Sequence, residues 1–112
     1  MNRVKPLTVK FYRTQAGHEP VREWLRSLDR EDKKTIGEDI KTVQYGWPLG
    51  MPLVRKLEPD LWEIRISLGA RIARILFTVK ANMIILLHGF IKKSQKTPTP
   101  DLSMARRRRN TL

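Results

Sequence analysis

The chain has 112 residues, 23 Lys and Arg against 11 Asp and Glu, and a formal net charge of +12. This length suits one domain, and the absence of cysteine excludes disulfides and thiolate metal sites. No segment approaches the ~20 apolar residues of a membrane span and the N-terminus lacks the apolar core of a signal peptide, so we expect a cytoplasmic protein without a membrane partner.

The first half of the chain predicts one strand and two helices. The alternating residues Leu7–Tyr12 predict a strand at a sheet edge or beside the other strands. Pro20 suits the first position of a helix, and Asp29 suits the N-cap of a second helix that ends at Gly46. Residues 47–60 contain three prolines and a glycine, so we expect a loop with a basic edge there.

Residues 61–98 predict three consecutive antiparallel strands. Leu61–Leu68 alternates with period two, Arg71–Lys80 is rich in β-branched and aromatic residues, and Met83–Ile91 is almost continuously apolar. Such an apolar run is typical of a central strand buried on both faces. One face of the first strand carries the apolar set Trp62, Ile64, Ile66 and Leu68.

The predicted order β-α-α-β-β-β indicates an α+β fold with a helical hairpin packed on one face of an antiparallel sheet. We expect residues 1–112 to form this single domain, with residues 99–112 as either a short C-terminal helix or a disordered basic tail. The other face of the sheet is predicted to be polar, basic and uncovered, so that a ligand can bind there.

The positive charge lies mostly in the second half of the chain. Residues 61–112 have a net charge of +9, against +3 for residues 1–60. This asymmetry indicates a polyanionic partner, either a nucleic acid or an acidic protein, whereas the alternative is a basic surface that only promotes solubility. Metal-dependent nuclease chemistry is disfavoured because Glu63 and Asp101 are the only carboxylates in the basic half.

Metal-independent chemistry on phosphate remains, and it requires no cofactor. Arginine and lysine can stabilise the negative charge that develops when a 2′-hydroxyl attacks a phosphodiester. Each candidate also has a structural alternative: Arg65 can pair with Glu63, and Arg74 can extend from the edge of the core. His88, inside the apolar run, is either a hydrogen-bonded structural residue or a general acid or base. The cations on these strands or at their exit are Arg65, Arg74, Lys92, Lys93 and Lys96.

Three motifs in order, LWEIR, RIARILF and IILLHGFIKKSQKTP, give the chain a family resemblance. It resembles the RelE/ParE toxin superfamily, and more closely the HigB-like, phage-related branch. The resemblance implies a toxin of a type II toxin–antitoxin system that cleaves mRNA in the ribosomal A site. Its implied partners are the ribosome, mRNA and a helix-turn-helix, HigA-like antitoxin. The alternatives are a ParE-like toxin that inhibits DNA gyrase without cleaving RNA, and a non-toxic nucleic-acid-binding or phage regulatory protein.

The resemblance also assigns roles to residues. Arg65 matches the arginine that family members place on the scissile phosphate, and Lys92 and Lys93 match the cations after the last strand. The C-terminal tyrosine found in many members is missing, which leaves His88 and Lys92 as candidate acid and base. We expect a wider set of cations to bind RNA or phosphate: Arg55, Lys56, Arg71, Arg74 and Lys96.

Overall fold

The computed structural model describes residues 6–92 and 95–112, which form a five-stranded sheet with three helices. The sheet order is β1-β5-β4-β3-β2, with β1 parallel to β5 and the other neighbours antiparallel. The predicted α+β fold is therefore confirmed. The elements are β1 Thr8–Phe11, α1 Pro20–Arg26, α2 Arg30–Gly46, β2 Val54–Glu58, β3 Leu61–Leu68, β4 Arg71–Lys80, β5 Met83–Lys92 and α3 Thr99–Asn110.

The helical hairpin forms as its sequence signals predict. Pro20 is the first residue of α1, where its missing N–H costs no helical hydrogen bond. The Asp29 side chain accepts a hydrogen bond of 2.8 Å from the Asp32 backbone N–H and so caps α2, which ends at Gly46. Both helices pack on one face of the sheet and enclose the first core. Its buried members include Val21, Ile36, Ile40, Val43, Ile64, Ile66, Ile75 and Phe77.

The loop predicted for residues 47–60 is wrong in its second half, where β2 pairs antiparallel with β3. Pro52 and Pro59 flank this strand rather than interrupt it, so neither removes a ladder hydrogen bond from its interior. Val54 is buried in the first core and opposite Ile64. The density of prolines around a five-residue strand therefore concealed its pattern.

The second face of the sheet is partly covered, contrary to the expectation of an open face. Helix α3 forms and packs there, and a second apolar core lies between it and the sheet. The apolar run of β5 is buried on both faces, as predicted, because Ile84 and Leu86 lie in the first core and Leu87 and Phe90 in the second. The buried members of the second core are Tyr12, Leu61, Leu76, Ile85, Leu87, Phe90 and Ala105.

The arginines of α3 hold the helix against the sheet. Arg106 Nε and Arg109 Nη1 donate to the two carboxylate oxygens of Glu58 at 2.7 and 3.0 Å, and the hydrogen bond from Arg106 is the main cause of a lowered Glu58 pKa. Arg108 donates to the Leu87 carbonyl at 2.7 Å, and its burial lowers the pKa of its guanidinium. These contacts favour an ordered helix over a solvated tail. None of the helices in the described ranges is long and apolar enough to cross a membrane.

Candidate functional site

A cluster of cations lies on the second face of the sheet, beside the N-terminal end of α3. Strand register places it: Arg65 of β3 is opposite Arg74 of β4, and Arg74 is opposite Phe90 of β5. Since paired residues in a sheet share a face, these side chains point to the same side. Lys92, opposite Ile72, and Arg55, opposite Glu63, belong to that side as well. We call Arg55, Arg65, Arg74 and Lys92 the cationic cluster.

Arg74 lies at the centre of the cluster and has no exposed surface. Its Nε, Nη1 and Nη2 atoms have no hydrogen-bond partner among the described residues. Burial lowers the pKa of its guanidinium, while the nearby negative charge of Glu63 opposes this shift. Because an arginine stays protonated in proteins, Arg74 is a buried charge that makes no hydrogen bond to the described residues. The expectation that it extends from the core edge to solvent is wrong.

Arg65 lies at the half-buried border of the cluster. Its Nη2 donates to Gln95 Oε1 at 3.0 Å, whereas Glu63 accepts a hydrogen bond of 2.6 Å from the Thr97 hydroxyl. The alternative that Arg65 pairs with Glu63 is therefore not what the structure shows. A guanidinium has five N–H donors, so the one side-chain hydrogen bond that Arg65 makes within residues 6–92 and 95–112 leaves it with capacity for an anion.

His88, Asp101 and Lys92 form a chain of polar contacts at the edge of the cluster. His88 Nε2 lies 2.7 Å from Asp101 Oδ1, and Lys92 Nζ lies 3.4 Å from Asp101 Oδ2. Asp101 is in the first turn of α3, where the helix dipole favours an acidic side chain. In the tautomer in which Nε2–H of His88 donates to Asp101, the Nδ1 atom carries the lone pair that can accept a proton.

The remaining predicted cations do not all join this site. Arg71 is opposite Leu68, on the face of the helical hairpin, and donates to Asp32 at 3.0 Å. Lys56 is opposite Trp62 and therefore also lies on the hairpin side of the sheet. Lys96 is exposed in the segment between β5 and α3. Lys93 lies outside the described residues.

The residues that connect the cluster to α3 were not predicted from the sequence. Asp101 was noted only as one of the two carboxylates in the basic half, and Gln95 and Thr97 were not considered. Nothing in the sequence places the first turn of α3 against His88. Within residues 6–92 and 95–112, no group of three or more His, Asp or Glu side chains is arranged to hold a metal ion.

Two clefts open on the surface formed by the described residues. One, of about 510 Å³, borders the cationic cluster because Arg65 lines it. The other, of about 430 Å³, lies between Lys80 and Arg109, and no described residue of the cationic cluster lines it. The first cleft is therefore the one that is adjacent to the candidate site.

Comparison with protein families assigns the chain. Residues 23–110, from α1 to the end of α3, match the family described as Phage derived protein Gp49-like (DUF891). A comparison with curated proteins found no match. The matched region contains all four residues of the cationic cluster together with His88 and Asp101. The chain therefore belongs to the Gp49-like family of phage-derived proteins, a RelE-like toxin family of toxin–antitoxin systems.

Proposed function

We propose that this protein is a HigB-like toxin that cleaves mRNA on the ribosome in the cytoplasm, without a metal ion or cofactor. The observation that carries the proposal is Arg74, a fully buried guanidinium with no described hydrogen-bond partner, beside the more accessible cations Arg65 and Lys92. Phosphate oxygens are the acceptors that such a group of cations binds best. A helix-turn-helix, HigA-like antitoxin would be the neutralising partner.

RNA would first contact Arg65 and Lys92, since Arg74 has no surface that a phosphate can reach directly. Gln95 and Thr97 hold the segment before α3 against Arg65 and Glu63, the neighbours of Arg74 on β3. A phosphate that replaces Gln95 as the acceptor for Arg65 would loosen this segment and bring Arg74 within reach. The substrate would then accept the hydrogen bonds that Arg74 does not make to the described residues.

In the proposed cleavage step, His88 and Lys92 transfer protons while the two arginines bind the phosphate. The 2′-oxygen attacks the adjacent phosphorus, its proton passes to Nδ1 of His88, and the bond to the 5′-oxygen breaks. The leaving 5′-oxygen takes a proton from Lys92, so that the products are a 2′,3′-cyclic phosphate and a 5′-hydroxyl. Arg65 and Arg74 stabilise the negative charge on the phosphoryl oxygens in the transition state.

Toeprinting on translating ribosomes tests this function. Wild-type protein is expected to cut mRNA in the A site, and Arg65→Ala is expected to lower the cleavage rate about 10²–10³-fold, the usual cost of losing one transition-state donor. Arg71→Ala is the matched control, because Arg71 lies on the hairpin face and pairs with Asp32. It should cleave at nearly the wild-type rate.

Two results would contradict the nuclease assignment. Intact message during growth arrest would separate toxicity from RNA cleavage, and inhibition of gyrase supercoiling at stoichiometric protein would then favour the ParE-like alternative. Growth of cells that express the protein at high level without any antitoxin would contradict both activities for this chain.

Removing the imidazole of His88 is expected to reduce cleavage strongly. His88→Gln should lower the single-turnover rate about 10²–10⁴-fold, as general-base removal usually does. His18→Gln is the control, since His18 is exposed and its ion-pair partner is Glu23 rather than a residue of the cluster. Rates are measured on programmed ribosomes after circular dichroism shows that both variants are folded. A wild-type cleavage rate for His88→Gln would show that another group accepts the proton of the 2′-hydroxyl.

A further inference from the structure

The cleft next to Arg65 combines apolar walls with two charged side chains. Met51, Pro52 and Ile72 supply apolar surface, while Arg65 and Asp39 are the charged residues that line it. Its volume of about 510 Å³ falls within the ~300–1,000 Å³ typical of small-molecule sites. We call this cleft the Met51 groove. A flat, apolar group with a few polar edge atoms fits such a lining.

Arg65 belongs both to the Met51 groove and to the cationic cluster. It lines the groove and is also the register partner of Arg74 on β4. An anion held by Arg65 therefore lies at the mouth of the groove, with the group attached to it directed either into the groove or to solvent. In a nucleotide, the group attached to the phosphate through the ribose is the base.

Asp39 is a carboxylate without a partner in the described part of the chain. It lies on α2, is half-buried, and forms no hydrogen bond or ion pair with the residues that the structure describes, although the chain has a net charge of +12. Burial and, secondly, the negative charge of Glu38 raise the pKa of Asp39. An ionised carboxylate only accepts hydrogen bonds, so a ligand that satisfies Asp39 must supply N–H or O–H donors.

We propose that the Met51 groove binds a guanine base of the RNA strand whose phosphate lies on Arg65. The Watson–Crick edge of guanine carries two adjacent donors, N1–H and the N2 amino group, which match the two oxygens of Asp39. Uracil offers one N–H between two carbonyl oxygens, which repel a carboxylate. Met51, which is 62% exposed, supplies an adaptable apolar contact for the face of the ring. This inference rests on the proposed function and adds a base preference to it.

Calorimetric titration of the full chain with two nucleotides tests the groove. The probes are 2′-deoxyguanosine 3′,5′-bisphosphate and thymidine 3′,5′-bisphosphate, neither of which has a 2′-hydroxyl to attack the phosphate. The guanine probe is expected to bind at least about tenfold more tightly, within the range of a bidentate base contact. Asp39→Asn should reduce this ratio to within about twofold and leave the thymidine Kd unchanged. Glu38→Gln, next to Asp39 but outside the groove lining, should keep the ratio.

A methyl NMR spectrum locates the base in the same samples. The Met51 methyl signal should shift with the guanine probe and stay in place with inorganic pyrophosphate, which has no base. Equal affinity for both nucleotides with a stationary Met51 signal would overturn the guanine site, while cleavage in the toeprint would still support the nuclease. Failure of both nucleotides to bind would also overturn it, and the toeprint would then decide separately whether the proposed function stands.

Discussion

Replacing Arg74 by methionine is expected to make the protein more stable and inactive at the same time. Methionine has a similar length and no polar atoms that need partners, so it removes a buried charge that makes no hydrogen bond in the described structure. Replacing a whole buried ion pair by apolar residues raises the free energy of unfolding by about 1–4 kcal/mol in favourable cases, and because Glu63 remains we expect a gain of about 1 kcal/mol here. Glu63 keeps a nearby cation in Arg55, its register partner on β2. Cleavage should fall by about 10²-fold or more, because Arg74 is proposed to hold the phosphate.

Arg108→Met is the matched control for this experiment. Arg108 is also largely shielded from solvent, but it donates a hydrogen bond of 2.7 Å to the Leu87 carbonyl. Its replacement leaves that carbonyl without this donor and should lower the free energy of unfolding by about 1–3 kcal/mol. Urea denaturation measures both variants, and toeprinting measures cleavage. If Arg74→Met destabilises as much as Arg108→Met, Arg74 has a structural role. If it is stable and still active, the phosphate binds elsewhere.

The elements with strong local signals could be predicted from the sequence. The period-two pattern of Leu61–Leu68, the N-cap at Asp29 and the helix end at Gly46 are short-range features, and the structure contains the corresponding strand and helix. The second face of the sheet depends on long-range packing. Helix α3 covers it because Ala105 packs against the second core and Glu58 binds two arginines of α3, contacts between parts of the chain that no local pattern connects.

The candidate site could be predicted only in part, because strand alternation is a local pattern and the position of α3 on the sheet is not. Alternation along a strand separates Arg71 from Arg74, since an odd spacing places two residues on opposite faces, and the same rule separates Arg55 from Lys56. Applied to Arg71–Lys80, it would have removed Arg71 from the predicted set of cations that share a site. It could not be applied to Lys56, because residues 47–60 were predicted to be a loop. The pairing of His88 with Asp101 could not be found this way, because it requires the position of α3 on the sheet.

Adding a single methyl group at Gly89 is expected to cause a large loss of stability. A Cβ atom at Gly89 would lie 2.4 Å from Trp24 Cε3 and 2.5 Å from Trp24 Cζ3, distances that real Cβ atoms do not show. The indole is a rigid ring packed between α1 and β5, so it cannot move aside as the end of a flexible side chain would. Gly89→Ala should lower the free energy of unfolding by about 3 kcal/mol, at the upper end of the usual cost of overpacking.

Gly37→Ala is the control, because a Cβ there meets nothing within 4 Å and Gly37 lies in the interior of α2. It should raise the free energy of unfolding by about 1 kcal/mol through helix propensity. Trp24→Leu, combined with Gly89→Ala, should recover part of the loss, since the smaller side chain leaves room for the methyl group. Thermal denaturation of the four proteins measures these changes. If Gly89→Ala is as stable as the wild type, α1 can shift on the sheet. The positions of His88 and Phe90, on either side of Gly89, would then not depend on the contact between Gly89 and Trp24.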